Sequence, residues 1–193
     1  MKASKSIVAV CLLFIAGCVP SLHPLWTKET LVYDDAINGR YRESDKVWEF
    51  VGDPNDKSYQ LTIHEKEGKT SKLQAHLVKA GDQLFFDFYP AEDAELEGGD
   101  WLKFHVIPVH LFFHVVPAQP NLVLAAMNPD EVKKRLTEKP DMVKYEFIED
   151  DRVVLTDSPQ KLRKFVLEGL EVEKFFGEPQ ELTPIQDGKL VTP

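Results

Sequence analysis

From residue 39 onward the chain breaks into short runs rich in aromatic and β-branched residues, with a turn signal every eight to twelve residues. Alternation with period two puts one face of a strand in a core and the other in water, and turns at that spacing favour antiparallel neighbours. Gly39, Arg40, Tyr41 enters the first run, and Val47 to Val51 ends in Gly52, Asp53, Pro54, Asn55, a strong turn. Tyr59, Leu61 and Ile63 alternate with Gln60, Thr62 and His64; after Lys66 to Lys69, Leu73, Ala75 and Leu77 alternate with Gln74, His76 and Val78. Ala80, Gly81, Asp82 predicts a tight hairpin into Leu84 to Tyr89, which is apolar on both faces apart from Asp87.

The acidic segment Pro90 to Asp100 predicts a surface loop before a second meander: Trp101 to Val106, His110 to Val116 and Leu122 to Met127. Pro108, Pro117 and Pro120 fall at strand ends, where no ladder donor is needed. Asn128, Pro129, Asp130, Glu131 predicts a helix start, with Asn128 as N-cap, Pro129 at the first position and Glu131 reaching back in a capping box. That helix should run to about Lys139. Val143 to Ile148 and Arg152 to Thr156 predict a hairpin across Glu149, Asp150, Asp151, and Ser158 caps a second helix ending near Gly169. The expected fold is mainly β: an antiparallel meander forming a barrel or sandwich, with two short α-helices in the C-terminal half. Closure removes sheet edges, which favours the barrel.

Gly39, Arg40, Tyr41 at the first strand resembles the Gly-X-Trp signature of lipocalins, with Tyr41 in the Trp position. The resemblance implies a barrel around a small hydrophobic ligand. Phe86, Phe88, Tyr89, Phe112, His110 and His114 are then the candidate ligand-lining residues. The same sequence is compatible with a filled β-domain that contacts a partner protein instead.

The amino terminus states a location. Lys2 and Lys5 precede an apolar run, Ile7 to Ile15, that is too short for a helix across about 30 Å of hydrocarbon, so the segment reads as a signal peptide. Ile15, Ala16, Gly17, Cys18 resembles the lipobox of bacterial lipoproteins. The resemblance implies diacylation of the Cys18 thiol, removal of residues 1–17 and acylation of the new amino terminus. Val19 after the Cys resembles outer-membrane sorting in a Gram-negative cell, on the periplasmic face. Residues 18–38, with Pro20, His23 and Pro24 among Leu22, Leu25 and Trp26, lack a helical or strand period and read as a tether whose apolar residues dock on the domain or the membrane. Residues 39–193 then form a single domain.

Cleavage before Cys18 leaves 21 of the 23 basic side chains against 32 acidic ones, a net charge of −11 in place of −9. Such a surface repels phosphate backbones and argues against nucleic acid as a partner. Cys11 leaves with the signal peptide, so the mature chain carries no disulfide and no cysteine metal site. His105, His110 and His114 fall within ten residues. On a strand His110 and His114 share a face about 13 Å apart while His105 points the other way, so the three cannot converge on one metal. Glu92, Asp93, Glu95, Glu97 and Asp100 lack the order of a calcium loop and read as a solvated acidic segment. No serine sits in a Gly-X-Ser-X-Gly elbow, and phosphate loops and zinc-protease helices are absent, so no catalytic residue, metal or cofactor is assigned.

Overall fold

The computed structural model describes residues 18–94, 106–148 and 152–185. Its strands are β1 (Pro20–Ser21), β2 (Leu31–Val32), β3 (Gly39–Glu43), β4 (Lys46–Asp53), β5 (Ser58–His64) and β6 (Thr70–Ala80). They continue with β7 (Gln83–Pro90), β8 (His110–Ala118), β9 (Asn121–Ala126), β10 (Tyr145–Ile148), β11 (Arg152–Leu155) and β12 (Gln180–Pro184). Helices α1 (Pro129–Glu138) and α2 (Pro159–Leu170) lie in the C-terminal half.

Eight antiparallel strands close on themselves in the order β3, β4, β5, β6, β7, β8, β9, β12. The meander runs unbroken from β3 to β9, and β12 returns to close it, pairing Leu182 with Leu122 on one side and Thr183 with Arg42 on the other. The sheet is therefore a barrel rather than a sandwich. Turn chemistry sets the hairpins: Asp53 Oδ1 accepts the Asn55 N–H at 2.8 Å, and Gly81 takes a φ of +56° that L side chains disfavour.

Two cores sit on opposite faces of the barrel wall. Inside the barrel, Tyr41, Trp48, Phe50, Tyr59, Leu61, Leu77, Phe86, Phe88, Leu122, Leu124 and Leu182 are all buried in one cluster. Outside, the backs of β6, β7 and β8 present Val78, Phe85 and Phe112 to α1, α2 and the β10–β11 hairpin, through Val132, Leu136, Leu162, Phe165 and Phe175. This second layer explains why Val78 and Phe85, on the face opposite Leu77 and Phe86, are completely buried. Each such side chain removed from water contributes about 1.5–3 kcal/mol.

The region from Cys18 to Asn38 is bound more closely than a tether. Pro20 and Ser21 pair with Leu111 and His110 of β8, and Ser21 also pairs in parallel with Leu155 of β11. Leu31 and Val32 pair with Val78 and Leu77. Val19, Leu25, Leu31 and Ile37 are buried, so most of its apolar residues do dock on the domain.

Both helices start where expected, with different caps. Asn128 Oδ1 accepts the Asp130 N–H at 3.0 Å, but the Asn128 N–H goes to the Phe175 carbonyl at 2.8 Å, and Glu131 turns to Lys134 instead of closing a capping box. Ser158 occupies the N-cap of α2 without a side-chain cap bond; the Asp157 carboxylate organises that corner, accepting from Ser158 N and Lys144 N. Of the expected strand Trp101 to Val106, residues 101–105 lie outside the described residues, as do Glu95, Glu97, Asp100, His105 and the turn 149–151; Val106 is exposed and not in a strand.

Candidate functional site

The six residues expected to line a ligand cavity divide across the barrel wall. In β7 and β8 the registers Phe86 to Phe113 and Phe88 to Leu111 face inward, while Phe85 to His114 and Asp87 to Phe112 face outward. Phe86 and Phe88 are thus interior. Tyr89, Phe112, His110 and His114 are not: the period of two puts them on the outer face, a correction to the expected lining.

Rings from β4, β5, β7 and β8 meet in the interior. Phe86 stacks on Phe50 with centroids 5.7 Å apart and meets Tyr59 edge-on at 6.0 Å, and Phe88 lies 6.1 Å from Trp48 and 4.9 Å from Phe113. These separations are those of packed aromatic pairs. Tyr59 closes the region under residues 33–37, its hydroxyl accepting from Asp34 N at 2.8 Å and donating to Asp34 O at 3.0 Å, and burial raises its pKa to about 12. Tyr41, in the Trp position of the lipocalin signature, is buried too and donates to the Ile37 carbonyl at 3.1 Å.

The outer wall holds the chemistry-bearing cluster. Asp87 is completely buried; its Oδ1 accepts from His110 Nδ1 at 2.8 Å and its Oδ2 from the Leu25 N–H at 2.7 Å. Desolvation pushes its carboxyl above the ordinary range, against the pull of those two bonds. His110 is stacked on Tyr89 at 4.3 Å. His76, paired opposite Asp87 in the ladder, is buried under Trp26 at 4.7 Å, and its Nδ1 has no hydrogen-bond partner. Burial, and then the nearby His110, push the His76 pKa down to about 4. The Leu25 carbonyl in turn accepts from Arg163 Nη1 of α2 at 2.7 Å, so both backbone polar groups of Leu25 end on charged side chains.

A buried Asp–His pair is one half of a proton relay, and Ser21 stands opposite His110 in the ladder. Ser21 is fully buried, however, and its hydroxyl donates to the His23 carbonyl at 2.7 Å, so it is not presented as a nucleophile. The geometry instead ties the segment after Cys18 to the barrel and to α2. His114 is engaged separately, with Gln83 Oε1 at 3.0 Å and the ring of Phe176 at 5.6 Å. Among the described residues no group of three His, Cys, Asp or Glu side chains is placed to hold a metal ion.

The Asp87 knot was not anticipated as a site. Its signal was a single carboxylate in an otherwise apolar strand, which must find donors once a second layer covers it. Cys18 is exposed at the start of the described chain, while Val19, the next residue, is only 2 % exposed and belongs to the outer core. Among the described residues no helix is long and apolar enough to cross a membrane. Comparison with protein-family models, with curated proteins and with solved structures finds no match to this chain.

Proposed function

We propose that this protein is a non-enzymatic lipoprotein of the bacterial cell envelope, anchored by acyl chains on Cys18, whose barrel serves as a rigid module for contact with an envelope partner. The observation that carries this reading is the junction at Cys18. Cys18 is an exposed residue at the edge of the domain, while Val19 is in the core and Pro20 and Ser21 are in the sheet. Among the described residues both cores draw on positions from Val19 onward, so an anchor at Cys18 would be joined to the barrel without slack. Two or more acyl chains give stable membrane attachment where one gives only marginal binding.

The packed rings of the interior support an interaction module rather than a carrier of a hydrophobic ligand. In a Gram-negative cell, Val19 after the Cys supports the outer membrane and its periplasmic face as the location.

Cys18→Ser expressed with its own leader tests the reading. At least nine-tenths of the protein should move from the membrane to the soluble fraction; a variant that sediments with membranes like the wild type contradicts it. Native mass spectrometry of the purified protein should show no apolar adduct beyond the anchor, and a stoichiometric one would restore the carrier reading.

A further inference from the structure

Residues 22–30 cross the outer wall of the barrel between two paired ends. At one end Pro20 and Ser21 pair with β8 and β11, and the Leu22 N–H donates to the Leu155 carbonyl at 2.9 Å. At the other, Leu31 and Val32 pair with β6, and the Thr30 carbonyl accepts from the Lys79 N–H at 2.9 Å. In the middle the segment turns its bonds inward: the Ser21 hydroxyl serves the His23 carbonyl, and Thr30 Oγ1 accepts the Thr27 N–H at 2.8 Å. Among the described residues, residues 23–29 make two hydrogen bonds to the fold outside residues 20–32. Both belong to Leu25, its N–H donating to Asp87 of β7 and its carbonyl accepting from Arg163 of α2.

The surface beneath is unusual for its unmet polar groups. Leu25 is fully buried, and Trp26 lies on His76 with ring centroids 4.7 Å apart. Trp26 Nε1 and His76 Nδ1 are both buried without a hydrogen-bond partner, and the Asp87 carboxylate beside them is held out of water. Burying a polar group without a full set of bonds is costly. Lifting the segment brings water to these groups, and the hydration they regain offsets part of the apolar contact and of the two bonds given up. The barrel ladder takes no part in that movement, since β6 stays paired with β5 and β7, and β7 with β8.

We propose that residues 23–29 are a strap that opens and closes as one unit over His76 and Asp87 while the barrel stays folded, with Leu25 as its latch. Leu25 suits that role because its two bonds run to charged side chains on different layers, the barrel wall and α2. Hydrogen bonds to charged groups are about twice as strong as neutral ones, so few bonds hold the strap closed. Closed, it ties α2 to the wall; open, it bares the polar face that carries His76, Asp87 and His110. The movement is the same whatever the state of Cys18, because β1 stays paired on both sides.

Hydrogen exchange of the purified protein, read residue by residue by NMR in rising urea, tests the strap. The Leu25 amide and the buried Trp26 indole N–H should share one opening free energy. Both should open at least about tenfold more often than Leu61 and Leu77 of the barrel, with little dependence on urea because little surface is exposed. Arg163→Met keeps the side-chain stem and removes the donor to Leu25; it should raise the opening at both positions about tenfold and leave Leu61 and Leu77 unchanged. Protection at Leu25 and Trp26 equal to that at Leu61 and Leu77 at every urea concentration overturns the strap, since the segment then opens only with the barrel. Different opening free energies at Leu25 and Trp26 overturn movement as one unit, and an Arg163→Met effect spread equally over all four residues overturns Leu25 as the latch.

Discussion

Lowering the pH from 7 to 5 charges His76 in the unfolded chain and leaves it neutral in the folded one, because burial under Trp26 holds its pKa at about 4 against an ordinary 6.5. The folded pKa is the depressed one, so the unfolded state binds more protons in this window. The stability is therefore fully present above pH 6.5 and is lost as the pH falls toward 4. The proton-binding ratio between unfolded and folded states is about 1.3 at pH 7 and about 30 at pH 5, a loss of about 2 kcal/mol. With a urea slope of about 2 kcal/mol per M, the unfolding midpoint drops by about 1 M. Asp87 has the opposite sign: its folded pKa is raised, so acid relieves the cost of holding it ionised in the interior. His76→Phe keeps a ring against Trp26, sacrifices no bond at Nδ1 and retains Asp87, so the difference between the two proteins isolates the histidine. Urea unfolding of the Cys18→Ser protein and of its His76→Phe derivative, each at pH 7 and pH 5, measures it. The derivative should keep about 1 M of midpoint that its parent loses. Equal losses in the two proteins would refute the burial argument.

Phe86→Ala removes a fully buried ring at the centre of the interior cluster and should cost about 3–5 kcal/mol, read as a lower urea midpoint with an unchanged slope. Asp87→Ala leaves His110 Nδ1 and the Leu25 N–H without their acceptor in a buried site, and should cost about 2–4 kcal/mol while speeding amide exchange at Leu25. Gly169→Ala sets a methyl group inside the ring of Phe175, which packs against Phe165; overpacking of about 1–3 kcal/mol should lower the Tm.

Most of the barrel was legible because its strands alternate cleanly and its turns carry Gly, Pro, Asn and Asp at the right offsets. Two kinds of element were not. Gln180–Pro184 closes the barrel with Leu182 as its sole buried residue, so it has no period to read. Pro20–Ser21 and Leu31–Val32 are two-residue strands, too short for any alternation. The site suffered from a different ambiguity. A strand apolar on both faces, such as Leu84 to Tyr89, does not say which face lines the barrel and which meets a second layer. Sequence alone therefore does not separate Phe112 and Tyr89 from Phe86 and Phe88, although the ladder puts them on opposite sides of the wall. Asp87 was visible as an exception, but its partner Leu25 is 62 residues away and offers only a backbone N–H, which no side-chain pattern reveals. The histidine spacing was more informative: His110 and His114 share the outer face of one strand and find separate partners, Asp87 and Gln83.

Intact mass spectrometry of the wild-type protein extracted from membranes bears most directly on a rigid barrel joined to its bilayer at Cys18. A chain beginning at Cys18 and carrying three acyl chains is expected, whereas a membrane-extracted chain with Cys18 unmodified would contradict the anchor and with it the function proposed for the barrel.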